Sequence, residues 1–363
     1  MKVIVVAGTR PNFMKVAPLM WELARRPAVE PFLIHTGQHY DQRMSRLFFE
    51  ELNIPSPDVD LGVGSGTHAS QTAEVLKRIE PVLVDWKPDV VMVVGDVNST
   101  LAAALAAVKL GIPVAHVEAG LRSFDRTMPE EINRILTDAI SRFLFVSERS
   151  GVENLRREGI SGEQVVLVGN VMIDTLLACR RRSEGSPILA DLGLSSRPYA
   201  VLTLHRPANV ENPNVFRGLM EAIERLGQAL PIVFPVHPRT RAVLDGTRAT
   251  SNHNLILTEP LGYLDFMKLL ANARLVLTDS GGIQEETTVL GVACVTLREN
   301  TERPVTVEQG TNVLAGLEPK RIVAAGLDAL ERPLRQERIP ELWDGQAAGR
   351  IVDVLTADSA HVL

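Results

Sequence analysis

Residues 273–291 of this chain, ARLVLTDSGGIQEETTVLG, join a short β-branched apolar run to a helix-like stretch through Gly281-Gly282. A run of that kind is buried on both faces of a parallel sheet, and parallel strands need a crossover, usually a helix, between them. The stretch therefore commits the chain to an α/β architecture. Its junction also has chemical meaning. Asp279-Ser280 can cap the helix, two glycines let a ligand approach the backbone, and the free N–H groups at the positive dipole end favour phosphate. A plain strand-to-helix turn is the other open reading of the same residues.

The alternation repeats along the chain. Strand-like runs at residues 3–7, 31–35, 90–94, 113–117, 143–147 and 165–168 alternate with helical spacing at 13–23, 69–86, 101–110, 129–139 and 151–158. A second series opens at residues 199–204 and continues through 232–236, 255–257, 274–278 and 294–297. At 363 residues the chain exceeds one ordinary core. The expectation is α/β with two Rossmann-like doubly wound domains facing an interdomain cleft. The first spans residues 1–169 and the second 170–340, with an exposed connector at 180–197. A terminal helix within 341–363 is free to pack back on the first domain.

A net charge of −6 argues against a general nucleic-acid binder. Two cysteines are too few for a disulfide framework or zinc cluster, which points to a reducing cytoplasm. The apolar runs are too short to cross a membrane, so the chain is expected to be soluble and unanchored. No His/Asp/Glu grouping has metal-ligand spacing, and GxGxxG is absent.

The candidate site residues lie at strand ends. Arg10 and Lys15 flank the first βα turn as phosphate or substrate contacts, or as surface cations. Asp96 and Glu118 each follow a buried-type run, at the sheet edge where open parallel sheets bind ligands. Glu130 and Glu131 open a helix behind Pro129, where the dipole alone would favour acids. His205 and His237 are either hydrogen-bonded strand-end residues or catalysts. Carboxylates gathered in a crevice repel, so at least one can exchange protons near neutral pH. A cleft with an anion seat and clustered acids suits a nucleotide diphosphate carrying a polar group, such as a sugar nucleotide.

The motifs GTRPNFMKVAPL, GDVNSTLAAALAA, HVEAGLRS, MPEEINRILTD, GNVMIDTL, LHRPANV, PVHP, LTDSGGIQEE and NTERPVTVEQGT occur in that order. With them the chain resembles the non-hydrolysing UDP-N-acetylglucosamine 2-epimerases, which have the two-domain GT-B fold. The resemblance implies interconversion of UDP-N-acetylglucosamine and UDP-N-acetylmannosamine, no NAD, no essential metal, and a homodimer. Carried across by motif, Asp96, Glu118 and Glu130 would be the catalytic acids, assisted by His205. Arg10, Ser280, Gly281 and Gly282 would hold the diphosphate and Glu286 the ribose. Phe266 would lie near the uracil, and Lys15 and Arg303 would join the substrate contacts. Three places depart from the best-known bacterial pattern: Asn12 where Glu is common, a shorter loop at 122–129, and the cluster Gly37-Gln38-His39-Tyr40. The implied chemistry is elimination of UDP to 2-acetamidoglucal and its re-addition. A GT-B glycosyltransferase, an epimerase of another UDP-2-acetamido sugar such as a diacetamido uronic acid, and a non-catalytic sugar-nucleotide sensor are the alternatives.

Overall fold

The structure is a computed structural model and describes residues 1–38, 42–236, 238–244, 254–331 and 339–359. His39, Tyr40 and His237 lie outside these residues, as do the side chains of Arg10, residues 42–46, Pro238, Arg239, Ala242, Asp358 and Ser359. The chain divides into two compact units, one formed by Met1–Ala178 with Glu341–Leu363 and the other by Cys179–Pro340. The division falls inside the helix Val171–Ser183 that follows Gly169.

The first unit is built on seven strands, β1 (Lys2–Ala7), β2 (Glu30–His35), β3 (Val59–Asp60), β4 (Val90–Val94), β5 (Val114–Ala119), β6 (Phe143–Val146) and β7 (Val165–Leu167). They pair in the order β3-β2-β1-β4-β5-β6-β7, every pair parallel. β1 and β4 are buried almost throughout because β-branched side chains pack on both faces of a covered sheet. Ile4, Val6, Ile34, Val91 and Val93 meet Ile79, Leu83, Ala103 and Ala107 of the helices His68–Trp86 and Asn98–Lys109. The alanines of the second helix let it lie close to its neighbours.

The second unit holds six strands, β8 (Ala200–Thr203), β9 (Ile232–Pro235), β10 (Leu255–Thr258), β11 (Leu275–Thr278), β12 (Cys294–Thr296) and β13 (Asn312–Leu314). Their order is β10-β9-β8-β11-β12-β13, again all parallel. Counted within the unit this is 3-2-1-4-5-6, the doubly wound order in which winding reverses between the first and fourth strands. The core joins Leu202, Phe234, Leu277 and Val295 to Phe216, Ile223 and Ile322. Both sheets thus reverse at one seam, β1/β4 in the first unit and β8/β11 in the second.

One stretch differs from expectation. Residues 180–197 are not an exposed connector throughout: the helix Val171–Ser183 takes up the three arginines at its carboxyl end, where cations suit the dipole, and Ile188 and Leu194 are buried. Helix propensity of the arginine run outweighed its polarity. The final helix, Ala347–Ser359, belongs to the first unit, where the Asp174 carboxylate accepts from the N–H of Ala347 at 3.1 Å and Ala348 at 2.7 Å. Trp343 is buried beside it and donates its indole N–H to the Ser147 carbonyl at 2.9 Å.

Candidate active site

In the first unit Asp96 follows β4, a strand at the reversal, and Glu118 lies near the end of its neighbour β5. β4 runs into Gly95 at φ 71° and then Asp96. Glu118, the next-to-last residue of β5, has φ 72°, and the pairing with β6 slips between Val117 and Ala119. A non-glycine residue in the left-handed region at a register slip is a strained element that aims its side chain away from the regular pleat. The Glu118 side chain is buried, with Oε2 ion-paired to Lys15 Nζ from the helix Arg10–Ala24. Its Oε1 is buried without a hydrogen-bond partner. A Cβ at position 95 would fall 3.3 Å from Lys15 Nζ and 3.5 Å from Glu118 Oε2, so Gly95 lies directly against this pair.

Asp96 is more open, its side chain 27% exposed and ion-paired with Arg134. Arg134 also binds Glu131 through Nε at 2.9 Å and Nη2 at 2.7 Å. Glu131 is fully engaged, because its two oxygens accept the N–H of Ser123 and of Phe124, each at 2.9 Å. That buried carboxylate shapes the loop before the helix Pro129–Ile140. Glu130, its neighbour in the first turn, is half-buried. Asn133 Nδ2 donates to the Asp96 carbonyl at 2.9 Å, so one helix brings Glu130 and an anchor for Asp96 together.

Behind the acids lies a buried frame that sequence reasoning missed. His116 places Nε2 2.8 Å from the Gly95 carbonyl and Nδ1 2.6 Å from Asp138 Oδ1. Asp138 Oδ2 accepts the Gly120 N–H at 3.1 Å and meets Arg122 at 2.7 Å. Burial by itself would raise the Asp138 pKa, but His116 and Arg122 outweigh it and hold the group below the usual carboxylate range. Two glycine turns with positive φ, Gly95 and Gly120, are therefore clasped by one charged group. Asn12, noted above only as a departure from the bacterial pattern, belongs to this frame as well. Its Oδ1 accepts the N–H of Thr9 at 2.9 Å and of Gly8 at 3.3 Å, and its Nδ2 donates to the Val94 carbonyl at 3.1 Å. An amide can do both, whereas a glutamate there could only accept.

The second unit gathers His205, Ser280, Gly281, Gly282, Glu286 and Arg303 around the start of the helix Gly281–Leu290. Ser280 is its N-cap but makes no side-chain cap bond, and Asp279 does not cap it either. The expectation of an Asp279-Ser280 cap is corrected here. The parallel register pairs Thr278 with Thr203, so the residues just beyond β11 and β8 meet, and Asp279 turns to the β8 side. It accepts the N–H of His205 and Arg206 and lies 2.7 Å from His205 Nδ1. The uncapped helix start keeps its N–H groups available to an anion.

Gly281 is required for a reason additional to ligand approach. A Cβ there would fall 2.5 Å from Arg303 Nη1, so the guanidinium packs against the helix start. Arg303 is buried and binds Glu285 through Nε at 2.6 Å, with Glu302 at 3.5 Å. These acids offset the cost of a cation at a positive helix end. Glu286 is buried on the same helix and accepts from the Tyr263 hydroxyl at 3.1 Å. Burial pushes its pKa up to about 7, with the Tyr263 bond opposing and the Glu285 charge adding. Phe266 is half-buried on the helix Tyr263–Ala271, the same helix that supplies Tyr263. Among the described residues no three His, Cys, Asp or Glu are disposed to hold a metal ion, and no helix is long and apolar enough to cross a membrane.

Comparison with known proteins gives consistent results. A family model described as UDP-N-acetylglucosamine 2-epimerase matches residues 21–356. The chain is 44% identical to the UDP-N-acetylglucosamine 2-epimerase of Methanococcus maripaludis, over 98% of each chain. It is 42% identical to the UDP-2,3-diacetamido-2,3-dideoxy-D-glucuronate 2-epimerase of Pseudomonas aeruginosa, over 98% of this chain and 99% of that one. Among solved structures it is similar to the Methanocaldococcus jannaschii UDP-GlcNAc 2-epimerase in complex with UDP-GlcNAc and UDP, with a TM-score of 0.92 and 44% identity over 98% of this chain and 100% of that one.

Proposed function

Because the chain belongs to the UDP-N-acetylglucosamine 2-epimerase family, we propose that it interconverts UDP-N-acetylglucosamine and UDP-N-acetylmannosamine by eliminating UDP to 2-acetamidoglucal and adding it back. The observation that carries this reading is Glu118: a buried carboxylate on strained backbone, with one oxygen on Lys15 and the other without a partner. Such a group is preorganised to exchange a proton with a bound substrate.

The proposed chemistry calls for carboxylates at the sugar and an anion seat at the diphosphate. C2–H of the sugar is a poor acid because no carbonyl adjoins it. When the C1–O bond breaks ahead of proton transfer, its electron pair leaves with the UDP oxygen and the ring gains oxocarbenium character, which acidifies C2–H. A carboxylate then takes that proton, and the C2–H electrons form the C1–C2 double bond. Re-addition delivers a proton to the opposite face of C2 while the UDP oxygen re-forms its bond to C1. The hydrogen leaves and returns as a proton, so the reaction is redox-neutral. In this reading Glu118 serves one face of the ring, and Asp96 with Glu130 serves the other. The nucleotide falls to the second unit. The open helix start at Gly281 and Gly282, with Ser280 and Arg303 beside it, takes the diphosphate. Glu286 takes the ribose, Phe266 the uracil side, and His205 assists.

Proton NMR in deuterated water tests the reading: UDP-N-acetylglucosamine should convert to the manno epimer, with deuterium at C2 in product and recovered substrate. Conversion without deuterium uptake would contradict it. The similarity to a diacetamido-glucuronate epimerase favours a second substrate class, so the same assay is run on both UDP-sugars and the faster one names the substrate.

A further inference from the structure

Asp279 is fully buried, while the His205 side chain beside it is 60% exposed. Four donors converge on this carboxylate. Oδ2 accepts the Arg206 N–H at 3.0 Å and the Asn209 amide at 3.1 Å, and the His205 N–H is 3.1 Å from both oxygens. Oδ1 is left for the ring, 2.7 Å from Nδ1. An ionised carboxylate can only accept, so the ring nitrogen facing it carries the hydrogen.

We propose that Asp279 is a positioning residue for His205: it holds the Nδ1 proton, so that Nε2 on the opposite edge is the nitrogen presented to substrate, and its charge balances the ring when Nε2 takes up a proton. The loop bonds set the carboxylate independently of the ring, since three of the four donors belong to Arg206, Asn209 and the His205 backbone. A buried, preoriented anion behind an exposed imidazole is the arrangement by which a carboxylate fixes a histidine tautomer and supports its cation. In agreement, although burial raises the Asp279 pKa, the His205 ring and the N–H groups of Arg206 and His205 outweigh it and hold the group below the usual carboxylate range. The inference rests on the epimerase reading for what His205 does in turnover, but not for which nitrogen bears the hydrogen.

The geometry dictates what Asp279→Asn does. Two donors, Arg206 N–H and Asn209 Nδ2, converge at the Oδ2 position, so the amide oxygen settles there and the amide nitrogen faces Nδ1. An N–H now points at Nδ1, which moves the ring hydrogen to Nε2 and makes the presented nitrogen a donor only. The test uses the intact protein labelled with 15N in histidine. Long-range proton–nitrogen correlation at mildly alkaline pH should show His205 protonated at Nδ1 in the wild type and at Nε2 in Asp279→Asn. Turnover of the variant should fall about a hundredfold with KM within about threefold, matching His205→Gln. The double variant should be no slower than His205→Gln alone, because both changes remove one function. Wild-type His205 protonated at Nε2 would overturn the proposal, as would a double variant whose loss is the product of the single losses. If Asp279→Asn fails to fold, the wild-type spectrum decides by itself. If the wild type turns over no UDP-2-acetamido sugar, the epimerase reading fails while the tautomer is still decided.

Discussion

Glu130 and Glu131 are adjacent in sequence and opposite in circumstance. Glu131 is spent on two backbone N–H groups and Arg134, whereas Glu130 is half-buried in the same helical turn. Glu130→Gln should therefore cut turnover about a hundredfold or more with unfolding unchanged, the scale of a lost general acid or base, while Asp96→Asn and Glu118→Gln should lose as much turnover and also some stability, since each breaks an ion pair. Glu131→Gln should cost about 1–3 kcal/mol of stability, the scale for weakening a buried charge-assisted set. Steady-state kinetics beside denaturant melts checks both, and a kinetic loss confined to Glu131→Gln would exchange the two assignments. Glu286 gives a pH prediction. Its folded-state pKa is about 7 against an ordinary 4.5, so free protein carries a partly protonated carboxyl at neutral pH. Ribose hydroxyls donating to it favour the ionised form. UDP binding near pH 7 should then release protons, read by calorimetry in buffers of differing ionisation enthalpy. Equal apparent enthalpies would count against Glu286 as the ribose contact. The motifs named Glu130 and Glu286 as candidates, but the engagement of Glu131 with the backbone could not be read from them. Which of two neighbouring acids faces the backbone depends on helix phase and on the 122–128 loop. Asp279 looked like a cap because its true partner lies 74 positions away, brought close by strand register.

Strands and helices were easier to read, since β-branched runs bounded by Gly or Asp and helices of apolar period leave strong patterns. The failures came where two local signals conflicted, as in the arginine run at the end of Val171–Ser183. The start of the helix Ala347–Ser359 offers an element-scale test. Asp174 supplies the acceptor for its first N–H groups, and burial pushes that carboxyl up to about 6 from 3.8, with the two N–H bonds opposing. A raised folded pKa means that the folded state holds its proton more tightly than the unfolded chain. The contribution is fully present below about pH 4 and is lost as pH rises through about 6, a swing of about 3 kcal/mol. Asp344 and Arg350 are the charged groups beside it, acting in opposite directions. Thermal melts of Asp174→Asn against wild type should thus shift in favour of the wild type as pH falls from 7 to 4. A difference independent of pH would show that Asp174 keeps an ordinary pKa.

At the scale of the whole molecule, the same winding occurs twice, and Asp96 follows β4 and Gly281 follows β11, strands that border the seam where strand order reverses. This is where parallel sheets leave a crevice between diverging loops. One unit brings carboxylates to its seam, and the other brings an open helix start backed by a buried arginine. Epimerisation by this route requires that the C1–O bond break in every turnover. The most direct test is substrate carrying oxygen-18 in the bridge between C1 and the β-phosphorus, followed by phosphorus NMR during turnover. The label should move into the non-bridging β-phosphate oxygens as the manno epimer forms. Epimerisation at C2 with the label still confined to the bridge would contradict it.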